Sequence, residues 1–136
     1  AEELVALAGG LGLSARLRLV GHCDDMPAAL MLATVAVSAS VEPEGFGRAV
    51  IEAQAMGRAV VGTAHGGASE TIEDLVTGWL VPPDDPAALA RVIDVALAMS
   101  AADRAALGAR ARASVMADYT VAAMQAATLD VYREVL

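Results

Sequence analysis

The spacing of apolar positions changes several times along the chain, and each change marks an element. Arg16–Val20 (RLRLV), Thr34–Ser38 (TVAVS), Ala59–Thr63 (AVVGT) and Trp79–Val81 (WLV) are short apolar runs bounded by turn residues. They predict four strands. The intervening stretches carry helical spacing: Glu2–Leu11, Met26–Leu32, Phe46–Met56 and Ser69–Leu75. Gly12 and Gly57 follow two of them as stops. Asp85 before Pro86 reads as an N-cap with proline at the first helical position, opening a helix to Met99. Ser100 with Asp103 begins the next, to Asp118, and Thr120 caps a last one to Leu136.

Strands alternating with helices predict an α/β fold with a parallel, doubly wound sheet. The strands are nearly all apolar, as expected when helices cover both faces. From Pro86 onward the chain is helical and alanine-rich, a helical C-terminal flank. Four short strands are few for such a sheet, and the chain opens inside a helix. The pattern therefore carries the expectation that N-terminal strands of the domain are absent.

Composition narrows the ligand class. The chain is 57% hydrophobic but only 3% aromatic, so its core is built from small and aliphatic side chains. Charged residues at 19%, below the usual ~25%, argue against disorder. Net charge is −8, and all nine basic residues are arginine. No basic run exists to neutralise a phosphate backbone, which disfavours nucleic acid and anionic membrane surfaces. The apolar stretch Met26–Val37 falls short of the ~20 residues a spanning helix needs. A single cysteine, Cys23, forbids an internal disulfide and fits a reducing, cytoplasmic compartment. No His or Cys spacing suggests a metal site.

In open α/β sheets, ligands bind beyond the carboxyl ends of the strands. Three loops fall there: Gly21–Asp25, Ser40–Gly47 and Ala64–Glu70. In the middle loop, Gly45-Phe46-Gly47 stands where a strand has ended and a helix begins, a place suited to an anion. Such glycines also make an ordinary tight turn. Glu44 precedes them, and Glu52 follows with seven residues between, inside an apolar helix. A carboxylate among apolar neighbours suits a pair of ligand hydroxyls, such as those of a ribose. The alternatives are dipole complementation for Glu44 and an i,i+4 pair with Arg48 for Glu52. His65 reads as a loop residue without a catalytic role, Trp79 as packing, and the six methionines as core filler. Ser69 follows two glycines, but no Ser-His-acid order or Gly-x-Ser-x-Gly elbow makes it a nucleophile.

The run from Glu44 to Val61 (EGFGRAVIEAQAMGRAVV) resembles the E-x7-E signature of family 4 (group 1) glycosyltransferases. Thr63–Ile72 (TAHGGASETI) is similar to that family's Gly-Gly…Glu element. Asp74–Pro86 is similar to its Gly-x-Leu-Val-Pro…Asp-Pro stretch, Leu17–Gly21 to a strand whose glycine turn faces the nucleotide base, and Val131–Glu134 to its terminal helix. The resemblance spans essentially the whole chain.

It implies a GT-B architecture, two Rossmann-like domains with a cleft between them, and sugar transfer from a nucleotide donor with retention and no metal. Residues 1–136 then form a partial C-terminal nucleotide-sugar-binding domain, without its first strands or the acceptor domain. In the catalytic position, Glu44 is expected to contact donor-sugar hydroxyls. Gly45, Phe46, Gly47, Arg48 and Ala49 are expected to hold sugar and diphosphate, and Glu52 the ribose. Gly21 and His22 lie near the base in this scheme. The family's diphosphate-neutralising Arg and Lys have no counterpart here. The chemistry also requires the absent acceptor domain, so the chain alone is expected to be inactive. Strand edges exposed by the missing neighbours suggest self-association. A competing reading is a non-enzymatic nucleotide- or anion-binding α/β module, using the glycine turn without the carboxylates.

Overall fold

A computed structural model describes all 136 residues, Ala1–Leu136. The elements in order are α1 (Glu2–Gly10), α2 (Met26–Leu32), β1 (Val35–Ser38), α3 (Arg48–Ala55), β2 (Ala59–Thr63), α4 (Gly66–Thr71), β3 (Trp79–Val81), α5 (Pro86–Ala98), α6 (Ala101–Asp118) and α7 (Val121–Val135). The strands form one parallel sheet in the order β1-β2-β3. Val35 pairs with Ala59 and Val61 with Trp79.

Alternation along β2 explains the two-sided core. Every residue of β2 is buried. Ala59 and Val61 point to one face, where Trp79, Val81, Ala88, Ala96 and Leu107 join them from β3, α5 and α6. Val60 points to the other, against Val50 and Ala53 of α3 and Ala68 and Ile72 beside β2. The doubly wound arrangement predicted from the strand composition is present.

The helix starts expected at Asp85, Ser100 and Thr120 are realised by side chains. Each of the three, and Asp25 before α2 as well, accepts a hydrogen bond from the backbone N–H three residues on. The main boundary shifts are at β1, which begins at Val35, at α3, which begins at Arg48 rather than Phe46, and at α4, which spans Gly66–Thr71 rather than Ser69–Leu75.

Two expectations are corrected. Arg16–Val20 is not a strand. It pairs with no strand of the sheet, and Leu19 and Val20 are exposed, so the apolar run has no ladder to join. The methionines are mostly not core filler. Met26, Met31, Met116 and Met124 are 40–61% exposed. They sit on outer faces of α2, α6 and α7 that nothing in the chain covers. α1 buries only Ala8, and α7 buries no residue.

Candidate functional site at the carboxyl ends of the strands

The loop after β1 and the loop after β2 meet beyond the strand ends. Gly67 N–H donates to the Glu44 carbonyl at 2.9 Å. A Cβ on Gly66 would overlap the Glu44 backbone, and one on Gly67 the Phe46 backbone. The paired glycines Gly66-Gly67 are therefore required by close backbone approach. Their role is to seat one site loop upon the other.

Gly47 is the N-cap of α3 and adopts φ +72°, ψ +44°. That left-handed conformation suits glycine and turns the chain so that α3 starts beneath the loop. Gly47 offers no side-chain cap, so the N–H groups of the first turn are left without a side-chain acceptor. Ala49 and Arg48 there are exposed, as are Glu44 and Gly45. An anion placed at this helix start meets backbone donors and the positive end of the helix dipole.

Glu52 lies one turn further along α3. Its side chain is 36% exposed and accepts from Arg48 Nη2 at 2.9 Å. The i,i+4 pair weighed from the sequence is thus formed. It is largely solvated, since the Arg48 side chain is 80% exposed, and such pairs contribute roughly 0.3–0.5 kcal/mol. A carboxylate held that weakly stays available to ligand hydroxyls. The Glu44 side chain is exposed and makes no hydrogen bond or ion pair, while its carbonyl anchors Gly67.

Gly21 and His22 are not joined to this cluster by any hydrogen bond. Gly21 turns the chain at φ +68°. His22 Nε2 pairs with Asp24 Oδ1 at 2.9 Å, with both side chains almost fully exposed. His65 belongs to the loop scaffold: its Nε2 donates to the Ser40 carbonyl at 2.7 Å, beside Thr63 Oγ1, which donates to the same carbonyl at 2.8 Å. No group of three or more His, Cys, Asp or Glu residues is placed to hold a metal ion.

The sequence reading missed Gln54. It is fully buried in α3, and its Nε2 donates to the carbonyls of Thr71 and Thr77, each at 3.3 Å. It ties α3, the helix of Glu52, to the far end of α4. The signal was a single amide among the alanine and aliphatic residues of a helix that also carries Arg48 and Glu52, which spacing alone does not separate from a surface position.

A parallel α/β sheet with a glycine turn, an uncapped helix start and two carboxylates at its carboxyl edge defines a class of nucleotide- and anion-binding folds. Within that class the family is specific. The model of the group 1 glycosyl transferases matches residues 1–99. The chain belongs to this family.

A D-inositol 3-phosphate glycosyltransferase of Geodermatophilus obscurus is 38% identical over 136 residues, covering 93% of this chain and 30% of that protein. A glycosyltransferase from Rickettsia africae superposes with TM-score 0.93 at 34% identity, over 98% of this chain and 35% of that one. HepE from Anabaena, solved in complex with UDP-glucose, superposes with TM-score 0.86 at 30% identity, over 96% of this chain and 36% of that one. The fold is that of the Rossmann-like C-terminal domain of GT-B glycosyltransferases. The chain spans between 19% and 30% of the length of the first two curated relatives it matches.

Proposed function

We propose that this chain is the nucleotide-sugar-binding part of a retaining glycosyltransferase of family 4 type, transferring a hexose-type sugar to a glycan or lipid acceptor in the cytoplasm. The observation that carries the reading is the joint placement of Glu44, the Gly45–Gly47 turn and Glu52 around the exposed start of α3. The N–H groups of Phe46 to Ala49 take the diphosphate, which is where the helix start is most positive. Glu52 exchanges Arg48 for the two ribose hydroxyls. Glu44, on the loop in front, accepts from the donor sugar and stands in the catalytic position. Gly21 and His22 border the base, where the exposed turn leads into α2. The donor is a substrate, and neither a cofactor nor a metal takes part. The bound UDP-glucose in HepE supports the choice of donor class.

The acceptor enters through a separate domain, so the 136-residue chain binds donor without transferring sugar. Titration with UDP-, GDP- and ADP-glucose tests this reading. One of the three is expected to bind, to be indifferent to EDTA, and to lose roughly ten-fold or more in affinity in Glu52→Ala, the scale of a hydrogen bond to a charged group. Equal affinity in that variant would favour the module that uses the helix start alone.

A further inference from the structure

The donor loop is held from a direction the E-x7-E pattern does not reveal. The chain has only four aromatic residues, and two of them touch. The rings of Phe46 and Tyr119 stand edge to face, 6.0 Å between centroids and 60° between planes. Phe46 is the middle residue of the Gly45-Phe46-Gly47 turn, while Tyr119 closes α6, more than seventy residues later. The Tyr119 hydroxyl also donates to the Glu70 carbonyl at 3.1 Å, in the last turn of α4. One side chain therefore grips both halves of the loop pair, Phe46 from the β1 side and Glu70 from the β2 side.

Tyr119 itself is firmly placed. Its N–H donates to the Val115 carbonyl at 2.9 Å, as the last bond of α6. α6 is bound to α3 and to the loop before β3 by arginines: Arg112 donates to the Ala55 carbonyl, and Arg110 Nε to the Val76 carbonyl at 3.0 Å. Leu107 and Val115 bury the inner face of the same helix. The turn it contacts is held on one side only. Its backbone packs on Gly67, where a Cβ would overlap Phe46. Two glycines flank Phe46, which is 52% exposed, and on its ring side Tyr119 is the aromatic contact. Without that contact, the flanking glycines leave the turn more accessible conformations.

We infer that Tyr119 is a positioning residue for donor binding, fixing through Phe46 the backbone amides that receive the diphosphate and sugar. This rests on the functional reading above and adds a consequence that a merely structural tyrosine lacks. The loop is the part of the site that holds diphosphate and sugar, whereas Glu52 sits on α3 and takes the ribose. Loss of the Tyr119 ring therefore weakens the two portions of the donor unequally.

The test compares UDP-glucose with uridine on the 136-residue chain by titration, in the unmodified protein and in Tyr119→Ala, Tyr119→Phe and Phe46→Leu. In Tyr119→Ala, UDP-glucose affinity is expected to fall about ten-fold, while uridine affinity stays within about two-fold. Phe46→Leu should show the same split. Tyr119→Phe keeps the ring, and its UDP-glucose affinity should recover to within about three-fold of the unmodified chain. Parallel losses for both ligands, or no loss for either, overturn the inference. If Tyr119→Ala does not fold, Tyr119→Phe and Phe46→Leu decide alone by the same split. If the unmodified chain does not bind UDP-glucose, the same comparison is made with GDP-glucose and guanosine and with ADP-glucose and adenosine; failure to bind any of the three donors overturns the functional reading and the inference together. Binding that depends on Glu52 but not on Tyr119 overturns the inference only.

Discussion

Glu52 and Arg48 show how a binding group is kept ready without being committed. Their hydrogen bond spans one helical turn at the surface. Arg48→Ala is expected to change unfolding free energy by no more than about 0.5 kcal/mol, read from denaturant midpoints, and to leave nucleoside affinity undiminished. A marked loss of affinity would make the arginine, and not the carboxylate, the ribose contact. Gly67 makes the opposite kind of prediction. A Cβ there has no free space beside the Phe46 backbone. Gly67→Ala should cost roughly 2–4 kcal/mol in unfolding free energy, because backbone and not a flexible side chain has to move. The glutamates and glycines were legible because their residue types are out of place in an apolar α/β pattern. That Gly66 and Gly67 face Glu44 and Phe46, and that Tyr119 reaches Phe46, was not legible. Those contacts join residues far apart in sequence.

At the scale of elements, the caps at Asp85, Ser100 and Thr120 were read correctly, because a cap is decided within four residues, whereas the bounds of α3 and α4 were not. Asp85→Ala should therefore lower stability by about 1 kcal/mol, measured by chemical denaturation, with α5 otherwise intact. Arg16–Val20 went the other way. Its alternating Arg and Leu has the pattern of a strand, but a strand is completed by its neighbour. The sheet offers none to this segment. Gln54 belongs to the same lesson. Its amide is the link between α3 and the carbonyls of Thr71 and Thr77, so its importance is set by elements that arrive later in the chain. Gln54→Leu should cost roughly 2–3 kcal/mol, since it leaves buried carbonyls without a donor.

At the scale of the molecule, surface is the quantity that stands out. The accessible area is 8978 Å². A compact monomer of 13.8 kDa is expected to expose about 6,600 Å². Exposed apolar side chains lie on α1, on α7 and at the open side of β1, where Val37 is 46% exposed and shares a cleft with Met26 and Leu30. An unpaired strand edge flanked by apolar side chains recruits further chain. The isolated 136-residue chain is expected to sediment as a dimer or larger species at tens of micromolar, against the repulsion of its −8 charge, and a sharp monomer boundary would contradict this. No helix is long and apolar enough to cross a membrane. The central claim is a division of labour between two glutamates on one nucleotide sugar. Saturation-transfer NMR with UDP-, GDP- and ADP-glucose measures it most directly, using Glu44→Ala and Glu52→Ala. Signal is expected on ribose and glucose protons of one donor, with the ribose signal lost in Glu52→Ala and the glucose signal in Glu44→Ala. Signals that survive both substitutions unchanged, or no signal from any of the three, would contradict it.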